Sequence, residues 1–174
     1  MFEAVTGTAA VIGTAAIDSS HVKAHRSAAG GKGGPSSRPS AARGGRTTTL
    51  HALSDALGRP RVLLLAPGNQ HDVMMAPELL RLAGPLSRLI ADKAYDTNKL
   101  RQLLAEQAID AVIPSIARRK PLIPYDPEVY RQRNLIERMF GRLKDFRRIA
   151  TRYDRLAHNF LAAVCLAATL CYWL

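Results

Sequence analysis

The chain has 174 residues and a mass of 19.0 kDa, a length that suits a single domain with a substantial core. Its 25 Lys and Arg against 14 Asp and Glu give a formal net charge of +11. This excess indicates an anionic partner. Nucleic acid fits best, because clustered Lys and Arg release counterions from a phosphate backbone.

The cysteines, the hydropathy and the opening residues argue against a disulfide-rich, a zinc-binding, a membrane-spanning and a secreted protein. The spacing of Cys165 and Cys171, the two cysteines, predicts neither a disulfide framework nor a zinc site. Residues 160–174 are uncharged and mostly apolar but fall short of the roughly 20 residues that span a bilayer. The opening residues lack the basic region of a secretory signal. We therefore expect a cytoplasmic protein.

The first part of the sequence predicts three strands and a basic loop. Residues 11–24 are small or β-branched and predict a strand that contains one acid, Asp18. Residues 27–49 combine Gly, Ser and Pro with four basic residues and no acid, which predicts a flexible basic loop. Two apolar runs on either side of the turn signal at residues 57–60 predict a hairpin.

The second part predicts alternating helices and strands. A helix that ends at Gly84 precedes a short strand that ends at Asp92, and Thr97 can cap a second helix. Residues 111–114 form the next strand, and Asp126 opens a long helix that no obvious signal stops. This order predicts an α/β fold, with a mixed sheet flanked by helices and a long C-terminal helical segment.

Three acids fall at positions where a metal site is plausible. Asp18 lies within a strand, Asp92 ends another, and Glu137 lies on the long helix. A carboxylate in a strand of small apolar residues needs a reason, because burying it unpaired is costly. Metal ligation would supply that reason, although each acid taken singly is more often a solvated or capping residue.

The long helix carries a polar stripe around Glu137. At about 100° per residue, Tyr130, Arg133 and Lys144 share with it an arc of about 60°. An apolar face runs along one side of the stripe: Leu135, Ile136, Met139, Phe140, Leu143, Phe146 and Ala150. The stripe therefore lies between the core and solvent, where an acid could hold a metal and basic residues could hold phosphates. Ordinary salt bridges between Glu137 and its arginine neighbours are the alternative explanation.

Positive charge is concentrated near these acids. Between residues 118 and 155, twelve Lys and Arg accompany five Asp and Glu. Charge runs are usually solvated faces, but a basic strip beside an acid indicates a cleft for phosphates. The further candidate DNA contacts are arginines of this strip and of the region after Asp18: Arg26, Arg46, Arg118, Arg138 and Arg148.

The spacing of the helix residues resembles a known family. The pattern Y-(2)-R-(3)-E-(6)-K from Tyr130 to Lys144 matches the signature of DDE transposases from bacterial insertion sequences. The strings IDSSHVKAHR and LIADKAYD resemble the blocks around the two aspartates of that family. Further strings, RGGRTTTLHALSDALGRP, HDVMMAPELL and ERMFGRLKDFRRIATRYDRLAHNFLAAVCLA, are similar to family-five insertion-sequence transposases in the same order.

The resemblance implies a fold and an activity. It implies an RNase H-like nucleotidyltransferase that cleaves and transfers DNA strands at insertion-sequence ends. Two Mg²⁺ ions, for which Mn²⁺ could substitute, would be held by Asp18, Asp92 and Glu137. Tyr130, Arg133 and Lys144 would contact DNA near the transposon end. The implied partners are duplex DNA, both transposon ends and target, and further copies of the chain in an oligomer on DNA.

The resemblance also sets the expected domain organisation and the alternatives. Residues 1–174 are expected to form one catalytic domain without the N-terminal DNA-binding domain of full-length members, which an upstream reading frame would supply as a partner. One alternative is a catalytically inactive, truncated DNA-binding fragment that regulates a parental transposase. Another is a basic RNA-binding protein, which explains the charge but not the Y-R-E-K spacing. No Ser-His-Asp set, Gly-rich phosphate loop or Cys-His pair indicates a hydrolase or a kinase.

Overall fold

A computed structural model describes residues 12–29 and 47–174. Within these ranges, six strands form one mixed sheet in the order β3-β2-β1-β4-β5, and β6 pairs with the far end of β1. The strands are β1 (Ile12–Ala24), β2 (Thr47–Asp55), β3 (Pro60–Pro67), β4 (Leu86–Ile90), β5 (Asp110–Val112) and β6 (Thr151–Arg152). β1 to β3 are antiparallel, whereas β4, β5 and β6 run parallel to their partners. The expected mixed α/β sheet is confirmed.

Helices cover both faces of this sheet. They are α1 (Ala76–Ala83), α2 (Asn98–Glu106), α3 (Pro127–Tyr130), α4 (Asn134–Lys144), α5 (Arg147–Ala150) and α6 (Ala157–Tyr172). Two predicted caps are confirmed, since the side chain of Thr97 accepts from Leu100 N at 3.3 Å and that of Asp126 accepts from Glu128 N at 2.8 Å. Gly84 ends α1 with a φ of 76°, a backbone conformation that glycine adopts without strain.

Alternation along β1 divides the core into two clusters, because consecutive side chains of a strand point to opposite faces. Ile17 packs into the cluster under α1 and α2. Ala16 packs into the cluster with Ile136 and Met139 of α4 and with α6. Asp18 is two residues beyond Ala16 and therefore points toward α4, which is the arrangement that forms the site below.

The predicted long helix is wrong beyond Lys144. A 3-10 turn at Arg131–Arg133 joins α3 to α4, and the chain then leaves the helix at Phe146, whose backbone is extended. The 100° step no longer holds there, so Phe146 and Ala150, predicted on the apolar face, are exposed and Ile149 is buried instead. This exit lets β6 pair with β1.

Other expectations need smaller corrections. Residues 30–46 of the predicted basic loop lie outside the described residues, while Ser27 belongs to a 3-10 turn and residues 47–49 belong to β2. Cys165 and Cys171 are free and partly buried in α6. No helix in the described part of the chain is long and apolar enough to cross a membrane.

Candidate active site

Asp18 lies in the middle of β1, opposite Ala52 of β2. Its side chain is 14% exposed. Oδ1 accepts a hydrogen bond from Ser19 N at 2.8 Å, and Oδ2 accepts one from Arg133 Nη2 at 2.7 Å. The strand thus fixes a mostly buried carboxylate that faces the start of α4.

Asp92 lies beside Asp18 because of strand register. β1 and β4 run parallel with Ala16 opposite Ile90, and each aspartate follows two residues later. The Asp92 backbone is extended, and its Oδ1 accepts from Ala94 N at 2.8 Å, which caps the 3-10 turn Lys93–Tyr95. The cap thus uses one of the two carboxylate oxygens of Asp92.

Glu137 completes the group from the first turn of α4. Its side chain is 52% exposed, and its Oε1 accepts a hydrogen bond from Nη1 of Arg133. One guanidinium therefore bridges Asp18 and Glu137. The structure brings these two acids together through a shared cation.

The other two acids contribute to the electrostatics of Asp18. Burial raises the pKa of Asp18, while Ser19 N–H and Arg133 oppose the rise and the negative charges of Asp92 and Glu137 add to it. Three carboxylates here face one guanidinium, a surplus of two negative charges. A site with such a surplus favours a further cation.

The oxygen donors suit a hard divalent cation, which takes carboxylate ligands and retains waters or phosphates in its other positions. In the described ranges, however, no three His, Cys, Asp or Glu side chains are close enough to hold a metal ion as they stand. Arg133 bridges two of the three acids instead. The donor chemistry thus fits a metal, and its binding would require Arg133 to release at least one carboxylate.

A family model for the transposase DDE domain matches residues 10–174. The chain belongs to this family. A transposase-family protein of insertion sequence element IS6501 from Brucella ovis is 36% identical over 129 residues, which cover 74% of this chain and 98% of that protein. The transposase of IS1106 from Neisseria meningitidis serogroup B is 30% identical, with 67% of this chain and 44% of that protein covered.

Two further comparisons concern a third relative and a solved structure. A transposase-family protein of IS402 from Burkholderia cepacia is 30% identical over 71% of this chain and 61% of its own length. The chain thus spans nearly all of one relative and about half of two others. A chain in the structure of the simian T-cell lymphotropic virus intasome with PP2A regulatory subunit B56 gamma aligns with a TM-score of 0.55 and 17% identity, over 91% of this chain and 48% of that one. This likeness concerns the fold, and it agrees with the expected RNase H-like sheet.

Of the three motif residues predicted to contact DNA, Tyr130 and Arg133 lie beside the acids, and Lys144 contacts the end of β1. Tyr130 is half-buried, and its ring meets that of Tyr125 edge-on at 5.5 Å. Lys144 Nζ donates to the carbonyl oxygen of His21 at 3.4 Å. Arg133 has the acids themselves as partners, so the salt-bridge explanation describes its state in this structure.

The other predicted DNA contacts are scattered. Arg26, Arg118 and Arg138 are exposed, whereas Arg148 makes an ion pair with Asp154 at 2.5 Å. Arg46 lies outside the described residues. The pairing of Arg148 offsets its charge, which makes it a weaker candidate for a phosphate than the exposed arginines.

Sequence reasoning missed a polar cluster on the opposite face of the sheet. His51 of β2 is completely buried, its Nδ1 lies 4.0 Å from Oδ1 of Asp72, and neither ring nitrogen has a hydrogen-bond partner in the structure. Among the described residues, the buried hydroxyl of Tyr95 has no hydrogen-bond partner either. Burial lowers the pKa of His51 and raises that of Tyr95. A histidine within the apolar run of β2 was the available signal.

Proposed function

We propose that this chain is the catalytic domain of a transposase, which cleaves DNA at insertion-sequence ends and transfers the strands to target DNA with Asp18, Asp92 and Glu137 as metal ligands. The observation that carries the proposal is their convergence with a surplus of negative charge. The DDE family match and the transposase relatives support the same reaction class. Duplex DNA, in an oligomer of the chain, is the proposed substrate.

Divalent cations bound here would activate a water or a DNA 3′-OH and stabilise the leaving oxygen. The chain's own residues provide the rest. Asp18 and Asp92 each follow the register pair Ala16–Ile90 by two residues, and Glu137 is carried by the first turn of α4. Arg133, when it releases a carboxylate, is one turn from Glu137 and can turn its planar donor group toward a phosphate.

The test uses the 174-residue chain and supercoiled plasmid, because nicking needs no known terminal repeat. We expect Glu137→Gln to slow Mg²⁺- or Mn²⁺-dependent nicking by about 1000-fold, equivalent to about 4 kcal/mol of transition-state stabilisation. Gln is nearly isosteric with Glu and an equally good helix former, so folding should persist. Glu128→Gln is the matched control, since Glu128 is an exposed acid of the preceding helix α3 that pairs with Arg131.

Two outcomes would contradict parts of the proposal. Equal nicking by the wild type and Glu137→Gln would remove the assigned role of Glu137. A wild type that binds DNA in a salt-sensitive manner but nicks nothing with either metal would replace catalysis by the alternative, an inactive DNA-binding fragment that acts on a parental transposase.

A further inference from the structure

A second site, which is basic, lies on a different side of α4 from the three acids. Arg138 and Arg142 are one helical turn apart, and together with Tyr172 of α6 and the β2–β3 turn at Leu57 and Gly58 they line a pocket of about 170 Å³. Gly58 has a φ of 75°, and a Cβ there would lie 3.1 Å from Cβ of Leu135. The close approach of the turn to α4 therefore depends on glycine.

Both guanidinium groups act on the hydroxyl of Tyr172. Burial raises the pKa of Tyr172, and the positive charges of Arg142 and Arg138 oppose that rise. The guanidinium carbon of Arg142 lies 5.3 Å from the centre of the Tyr172 ring. Arg142 also donates a hydrogen bond to the Tyr172 hydroxyl, and its remaining N–H groups stay available to an acceptor.

The charge of this pocket is not balanced by acids. Neither Arg138 nor Arg142 makes an ion pair with a carboxylate among the residues that the structure describes, whereas Arg131, Arg133 and Arg148, before and after α4, do so. Two cations on a common pocket repel each other unless an anion lies between them. The pocket thus has hydrogen-bond donors for a bound anion, and no carboxylate of the described residues pairs with them.

The position of the pocket separates it from the cleavage site. At about 100° per residue, Arg138 and Arg142 point about 100° and 140° away from Glu137 around α4. Asp92 follows β4 on one side of β1, while the β2–β3 turn lies on the other side. A phosphate bound in this pocket is therefore not the scissile one.

We infer that Arg138, Arg142 and Tyr172 form a second phosphate site, which holds a DNA backbone phosphate away from the bond that is cut. The inference rests on the proposed function for its ligand. Arginine suits this role because its planar donor fork matches phosphate oxygens in pairs. Such a contact fixes the position of the duplex without reading its sequence.

The salt dependence of DNA binding tests the inference. Binding of a fluorescent duplex is measured by anisotropy at several salt concentrations for the wild type, for Arg138→Gln/Arg142→Gln, and for the control Lys99→Gln/Arg131→Gln, which removes the same charge from two exposed positions. The slope of log K against log salt should decrease in magnitude by about 0.9 for the pocket variant, the value for one phosphate contact. The slope of the control variant should change by much less than this value.

A conservative variant and a catalytic variant distinguish the possible failures. Arg138→Lys/Arg142→Lys should restore the slope because it restores the charge, and Glu137→Gln should keep the wild-type slope. Equal slopes for the pocket and control variants would overturn this inference alone, provided that the wild type nicks and Glu137→Gln does not. A wild type that neither binds nor nicks duplex DNA would overturn the proposed function as well.

Discussion

Asp96 lies four residues after Asp92 in the sequence, but the ion cluster around Asp96 differs in charge from the three acids of the site. Asp96 is completely buried, accepts from Arg101 Nε at 2.6 Å and Arg119 Nε at 2.8 Å, and also accepts from Ile116 N at 2.8 Å. One negative charge there faces two positive ones. Around Asp18 three negative charges face the single cation Arg133.

The two environments shift the aspartate pKa values in opposite directions. Burial by itself would raise the pKa of Asp96, but the hydrogen bonds from Arg119, Arg101 and Ile116 outweigh it and lower the pKa. Burial and the neighbouring acids leave the pKa of Asp18 raised. This difference distinguishes a structural ion cluster from a functional one. The charge of Asp96 is neutralised by arginines of the same chain, whereas the three acids of the site carry excess negative charge that a bound cation would neutralise.

The largest effect should come from Asp96→Asn. It leaves two largely buried arginines without their shared anion, and breaking a buried ion pair from one side costs about 3 kcal/mol. We expect that loss in the free energy of unfolding, measured by urea denaturation at pH 7. Asp110→Asn is the control, because its pair with Arg88 is exposed and such pairs contribute under about 1 kcal/mol. Equal losses would show that the Asp96 cluster is not structural.

The same cluster predicts acid sensitivity. A lowered pKa means that Asp96 contributes stability at pH values above its unfolded-state pKa of about 3.9 and loses that contribution as pH falls through its folded-state pKa. The wild-type advantage over Asp96→Asn should therefore be constant from pH 7 to about 5 and shrink below about pH 4. An advantage that stays constant down to pH 2 would contradict the assigned ion pairs.

Asp18→Asn should have the opposite sign. Because the pKa of Asp18 is raised, ionisation there destabilises the folded state, and the neutral amide should raise the free energy of unfolding at pH 7 by about 1 kcal/mol, the usual size for a single stabilising substitution. The contribution of the protonated acid is fully present below the unfolded-state pKa and lost as pH rises through the folded-state pKa. The two proteins should thus converge below about pH 4. If Asp18→Asn is less stable than the wild type at pH 7, Asp18 has a structural role like that of Asp96.

The sequence predicts the elements of the site better than its contacts. Asp18 lies in a strand, Asp92 after a strand and Glu137 on a helix, as periodicity and cap signals indicate. Spacing also allows the pair of Arg133 with Glu137 four residues later. The bond from Arg133 to Asp18 spans 115 residues and depends on how α4 packs against β1, which no local pattern contains.

The end of α4 was unpredictable for a similar reason. No Pro or Gly near Phe146 indicates a stop, and the chain leaves the helix where Thr151 and Arg152 pair with the end of β1. A helix continued through residue 152 would place Arg152 on the side of Arg138 and Arg148, but Arg152 is 1% exposed and donates to the carbonyl oxygen of Asp154 at 2.6 Å. Tertiary pairing overrides helix propensity here.

The smallest effect should be stabilisation of the folded state by Mg²⁺. It tests directly whether the cation binds at the three acids of the site and not at the Asp96 cluster. A ligand that binds only the folded state at a concentration equal to its dissociation constant adds about 0.4 kcal/mol to the free energy of unfolding. The wild type and Asp96→Asn should both gain this increment in a thermal melt with Mg²⁺, because the Asp96 cluster has no surplus negative charge. Asp92→Asn should not gain it, since it removes a carboxylate from the cluster that has the surplus. A matched ionic strength of NaCl is the control for screening. If Asp92→Asn gains as much as the wild type, the cation binds elsewhere, and the negative surplus around Asp18 is not the metal site.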